Sequence, residues 1–85
     1  MRYEIKIRKK AQKSLKQIPP PFRSNIIEKI KQLAENPFPN QCKKLTGREA
    51  WRIRIGNYRV IYEVYKIELV IIVFVIGHRK NIYKR

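Results

Sequence analysis

The 85-residue sequence predicts an α+β fold, a helical hairpin packed on one face of a mostly antiparallel sheet, in the order β-α-α-β-β-β. Apolar and charged residues alternate over positions 2–8 and again over 51–64, the two-residue period of half-buried strands. Between them, apolar residues recur at the spacing of amphipathic helices, broken once by Pro19-Pro20-Pro21. Gly56-Asn57 separates two alternating runs and signals a tight hairpin.

The first strand presents Tyr3, Ile5 and Ile7 to one side and Arg2, Glu4, Lys6 and Arg8 to the other. Ala11, Leu15 and Ile18 then mark one helix face, which the prolines terminate. Proline also suits a first helical turn, so a second helix starts near Phe22 and carries Ile26, Ile27, Ile30, Leu33 and Ala34. Asn36-Pro37 ends it, with Asn36 as a left-handed cap. A loop follows, then a turn at Thr46-Gly47. Trp51, Ile53 and Ile55 alternate with Arg52 and Arg54; Tyr58, Val60, Tyr62 and Val64 alternate with Arg59, Ile61 and Glu63. These two strands pair as a hairpin. Residues 69–76 are apolar on both faces, as in an interior strand, and Gly77-His78-Arg79-Lys80 leaves the sheet.

Length and composition bound the function. One domain spans residues 1–85, since a second core cannot be built from what remains. The formal charge is +15, from 21 Lys and Arg against six acidic residues, none of them Asp. Both halves are basic, so the charge is not a tail, and the partner is a polyanion: nucleic acid, an acidic protein segment or an anionic membrane surface. The single cysteine, Cys42, offers no disulfide framework and reads as a small loop residue; a reducing compartment, the cytoplasm, fits. Charges interrupt the N-terminal apolar residues, so no signal peptide is expected, and the longest apolar run is too short to span a bilayer.

The helices cover one side of the sheet. Arg52 and Arg54 lie on the other, and Arg59, out of phase with the aromatic and Val positions of its strand, faces the same way. Four of the five basic residues between positions 51 and 79 are Arg, the side chain that stays charged, grips phosphate with two hydrogen bonds and stacks on bases. A plain solvated basic face is the competing explanation. The six Glu are scattered, which argues against a two-metal nuclease, and no phosphate-binding glycine loop or Cys/His metal spacing occurs; no cofactor or metal is expected. Trp51, Tyr58 and Tyr62 read as core. His78 either hydrogen-bonds locally at the sheet end or sits beside Arg79 at the rim of the cationic face, where imidazole moves protons. Tyr83 lies in a basic tail and either packs, stacks on a base or serves in proton transfer.

Three stretches together resemble the RelE/ParE toxin superfamily: Lys44-Leu45-Thr46-Gly47; the run W-R-I-R-I-G-N-Y-R-V-I-Y-E-V from Trp51; and Ile76-Gly77-His78-Arg79-Lys80 with Ile82-Tyr83. The helical hairpin fits as well, so the resemblance covers nearly the whole chain. It implies the toxin of a type II toxin–antitoxin pair. RelE-like members cleave mRNA in the ribosomal A site without metal, so the resemblance implies a metal-independent endoribonuclease in which the RNA 2′-OH attacks the adjacent phosphate. Arg59, Arg79 and Tyr83 match the family's catalytic positions, with His78 a competing candidate for proton transfer. Arg52, Arg54, Lys43, Lys44 and Lys80 are the expected RNA contacts. The implied partners are an acidic antitoxin that folds on binding and mRNA on the ribosome, with no membrane and no small-molecule cofactor. Two alternatives stand beside this: a ParE-like gyrase poison and a non-catalytic basic RNA-binding module.

Overall fold

In the computed structural model, which describes residues 2–47 and 49–78, β1 (Glu4–Ile7) leads into α1 (Lys9–Lys16) and α2 (Phe22–Leu33). After them come β2 (Lys43–Lys44), β3 (Ala50–Ile55), β4 (Tyr58–Tyr65) and β5 (Val70–His78). Among the described residues the sheet has five strands in the order β1-β5-β4-β3-β2, with β1 parallel to β5 and every other pair antiparallel. The α+β arrangement expected from the sequence is the one observed. It gains one strand, β2, whose two lysines lie opposite Arg52 and Trp51. So short a strand has no alternation of its own; its pairing with β3 makes it one.

The helices cover a single face. Ala11 and Ile18 from the first helical segment, and Ile26, Ile30 and Leu33 from α2, meet Ile53, Val60, Tyr62, Ile71, Val73 and Ile76 from the sheet. Trp51, Tyr58 and Val64 complete the same face, as the alternation requires. At about 25 cal/mol per Å² of apolar surface, this cluster is the main favourable term in folding. The Tyr62 hydroxyl, buried with its ring, donates to the Pro37 carbonyl at 2.7 Å and ties the segment after α2 to the centre of the sheet. The Tyr3 amide donates to the Ala34 carbonyl at 2.8 Å, which fixes the start of β1 against the end of α2.

Several boundaries depart from the sequence pattern. α1 stops at Lys16, and Ile18 reaches the core from the turn beyond it, because the chain before proline is pushed out of the helical region. Asn36 does not adopt a left-handed conformation; its side-chain oxygen instead accepts the Phe38 amide at 3.2 Å. Gly56, at φ +60°, and Asn57 close the two-residue β3–β4 turn. Leu69 is outside β5 and takes φ +58° in the turn before it. Gly77 and His78 do not leave the sheet, because they pair with Arg59 and Tyr58. No described helix is long and apolar enough to cross a membrane.

Candidate nucleic-acid interface

The cross-strand register determines which side chains share the face away from the helices. Ile53 and Val60 are opposite each other and in the core, so their neighbours Arg54 and Arg59, also directly opposite, project to the other side. Arg52 lies two residues from Arg54 and shares its face, and Lys43, opposite Arg52, extends the row to β2. On the next strand Arg59 faces Gly77, which adds no side chain to the row. Lys43, Arg52, Arg54 and Arg59 thus form one cationic patch across three strands.

Within this patch Arg59 differs from the others. It is 3% exposed, the one buried charged residue among those described, and its Nε is enclosed. A solvated basic face would leave this side chain open to water; Arg59 is instead enclosed. Burying a guanidinium and placing it opposite another cation both oppose folding, the second by about 0.2–1 kcal/mol. Arg is the cation least penalised by partial dehydration, and an anion brought to the patch would offset the repulsion.

Two other candidates lie on the helix-covered side. Lys44 is opposite Trp51; its Nζ is 3.2 Å from a Glu49 carboxylate oxygen and 5.8 Å from the centre of the Trp51 ring. His78 is opposite Tyr58 and stacks edge-on against it, ring centres 5.6 Å apart, while Tyr58 also meets Phe22 at 5.9 Å. Of the two places the sequence left open for His78, this is the local contact at the sheet end and not the rim of the cationic face. A bulge is the cause: Ile61 pairs with Val75 and Tyr62 with Val73, leaving Phe74 as an extra residue. One extra residue inverts the phase of all that follows. In an unbulged strand His78 would fall on the side of Arg59. Arg79, Lys80 and Tyr83 lie outside the described residues.

Neither described tyrosine on β4 with an altered acidity is suited to accept a proton near neutrality. Burial holds the Tyr62 phenol well above its usual range, and Cys42 adds to the shift. Tyr65 is also raised, first by the hydrogen bond its hydroxyl donates to a Glu63 carboxylate oxygen at 2.7 Å. Among the described residues no three His, Cys, Asp or Glu side chains gather as a metal-ion site. The sequence pattern missed the cavity that Phe74 lines with Arg8, Lys9, Lys10 and Glu63; alternation within all-apolar β5 gave no sign of the side Phe74 takes.

Residues 5–83 match the family described as ParE toxin of type II toxin-antitoxin system, parDE. The chain belongs to this family of the RelE/ParE superfamily. A protein of Methanocaldococcus jannaschii with the provisional name toxin RelE1 is 36% identical over 99% of this chain and 98% of its own length. The toxin in the archaeal RelE-RelB complex from Pyrococcus horikoshii OT3 is similar at 30% identity and a TM-score of 0.80, covering 93% of this chain and 97% of that one. The RelB-RelE antitoxin-toxin complex from Methanococcus jannaschii gives 32% identity and a TM-score of 0.76, covering 93% and 95%. The chain is thus a RelE-like toxin in family and fold.

Proposed function

We propose that this RelE-like toxin is a metal-independent endoribonuclease that cuts mRNA in the ribosomal A site. The observation that carries the proposal is the buried Arg59 opposite Arg54, on a sheet face that also holds Arg52 and Lys43. In the reaction the RNA 2′-oxygen loses its proton and attacks the adjacent phosphorus in line. The bond from phosphorus to the 5′-oxygen breaks, that oxygen takes up a proton, and a 2′,3′-cyclic phosphate remains. Negative charge gathers on the phosphoryl oxygens as this happens. Arg59, fixed by burial, meets that charge without reorganising; one such preorganised donor is worth about 3–4 kcal/mol, or about 10²–10³ in rate. Arg52, Arg54 and Lys43 hold the backbone in register. Arg79 on the leaving-group side and Tyr83 or His78 in proton transfer rest on the family resemblance. For His78, its place on the helix-covered face weighs against direct contact with a phosphate held by Arg59.

The patch contains no strong base, so positioning of the message by the ribosome supplies much of the rate, and naked RNA is cut poorly. The cytoplasm is then the site of action. The partner in the cell is an acidic antitoxin whose segment folds over the +15 chain, as the toxin–antitoxin complexes of the archaeal relatives support. Primer extension on programmed ribosomes, with wild type and Arg59→Ala in parallel, tests the activity. Cuts in the A-site codon that vanish in the variant establish it. The ParE description of the family favours a second possibility, a gyrase poison; an uncut message together with DNA damage on expression would establish that one.

A further inference from the structure

Outside the Arg54–Arg59 row, the same sheet face carries a second chemical cluster. Arg8, Lys9 and Lys10 at the end of β1 and start of α1 line an open cavity of about 490 Å³ with Glu63 of β4 and Phe74 of β5. That volume lies within the about 300–1,000 Å³ of small-ligand sites. Its walls are held in place. The Arg8 amide donates to the Val73 carbonyl at 2.9 Å, which sets the three cations beside Phe74. The bulge between Ile61 and Tyr62 makes Phe74 the extra residue of β5. The Tyr65 hydroxyl donates to Glu63 Oε1 at 2.7 Å and orients the carboxylate.

We propose that this cavity is a second nucleotide subsite for single-stranded RNA, in which a base stacks on Phe74, Arg8, Lys9 and Lys10 take its flanking phosphates, and Glu63 accepts a hydrogen bond from an amino group on the base. The proposal rests on the RNA-directed function above. An aromatic ring ringed by cations is the combination that binds single strands. Glu63 narrows the occupant: a carboxylate pairs with the amino edge of cytosine, adenine or guanine, while uracil presents a carbonyl oxygen at the corresponding place. The same carboxylate repels an acidic peptide, which the cations alone would attract. Along β5, Phe74 is three residues from Gly77, the residue opposite Arg59, or about 10 Å at about 3.3 Å per residue. A short run of single-stranded RNA spans that distance, so one strand can occupy both places.

The test uses the full chain and two hexanucleotides, hexacytidylate and hexauridylate, both 2′-O-methylated so that neither is cut, with binding read by fluorescence anisotropy. Wild type is expected to hold the cytidylate about five- to tenfold more tightly, and Glu63→Gln to remove that preference. Phe74→Leu weakens both by about five- to a hundredfold, whereas Phe74→Tyr, which keeps the ring and guards against a folding defect, binds like wild type. Neutralising Arg8, Lys9 and Lys10 together lowers the slope of log K against log salt by about 2, at about 0.7 per phosphate. Wild-type affinity in Phe74→Leu, no binding of either hexamer, or tighter capture of a hexaglutamate peptide by the same residues would overturn the subsite. Cleavage on programmed ribosomes is measured in parallel. Message cut with hexamer binding indifferent to these residues removes the subsite and leaves the nuclease; message uncut with binding that depends on them does the reverse.

Discussion

Arg54 and Arg59 sit directly opposite each other on β3 and β4, two cations on one face of a sheet, with the second buried. Local packing does not favour such a pair. An anion brought to this face, such as an RNA phosphate, would relieve the repulsion between the two, and that sets function against stability at a single position.

That opposition is measurable. Arg59→Met keeps an unbranched side chain of similar reach and removes both the dehydrated charge and the repulsion from Arg54. Losing the dehydrated charge raises stability and losing the contacts the guanidinium makes lowers it, so the urea midpoint at unchanged m-value reads the balance. Cleavage on programmed ribosomes should fall by about 10²–10³. A lower midpoint would show that the guanidinium supports the fold.

The patch was legible in the sequence where one face is apolar and the other is not. Trp51, Ile53 and Ile55 against Arg52 and Arg54 define a phase, the two-residue Gly56-Asn57 turn carries it into β4, and Arg59 falls out correctly. The phase was lost in β5, where both faces are apolar and the alternation is silent. The bulge at Phe74 reverses the sides without leaving a mark in hydrophobicity, so the sequence leaves both places for His78 open. Lys43 and Lys44 were indistinguishable as sequence neighbours, since only pairing with β3 assigns their faces. Arg79, Lys80 and Tyr83 lie outside the described residues, so their roles rest on the family pattern.

Tyr62 links the core to the chain after α2 through its hydrogen bond to the Pro37 carbonyl. Tyr62→Phe leaves that carbonyl without this donor and should cost about 1–2 kcal/mol near neutral pH. The phenol's pKa is raised in the folded state, mainly by burial. Its protonated form is therefore favoured by folding, and its contribution is complete below the ordinary tyrosine value of about 10 and lost as pH rises above it. Wild type should lose about 1.4 kcal/mol per pH unit through this group above that value, and Tyr62→Phe should not. Urea midpoints at about pH 9 and pH 11 check it: the penalty of the substitution should shrink at the higher pH.

Leu69 adopts φ +58°, a conformation that clashes with a β-carbon and costs roughly 1–2 kcal/mol in a residue other than glycine. Its carbonyl accepts the Glu4 amide at 2.8 Å and so sets where β1 joins β5. The backbone is held by that pairing and the side chain pays in strain. Leu69→Gly relieves the strain but frees the unfolded chain, at a cost of roughly 0.5–1 kcal/mol. The net expectation is a gain of about 0.5 kcal/mol, or a melting temperature higher by about 2–4 °C. A drop in melting temperature would mean that the leucine side chain contributes more by packing than its backbone loses.

Lys43 and Lys44 provide the sharpest separation of recognition from folding, because they are neighbours of identical chemistry on opposite faces. Lys43 lies opposite Arg52 and belongs to the cationic patch. Lys44 lies opposite Trp51, within 3.2 Å of Glu49 and over the indole ring. Lys43→Ala should weaken RNA binding and lower its salt slope by about 0.7, the value for one phosphate on a single strand, with stability unchanged. Lys44→Ala should leave the salt slope alone and destabilise by up to about 1 kcal/mol, since an exposed ion pair and a surface cation–π contact are each worth that or less. Anisotropy titrations across salt and urea melts of the two variants settle both arms. Equal salt slopes in the two would mean that the RNA is bound by diffuse charge and that the face defined by Arg52, Arg54 and Arg59 has no special claim on it.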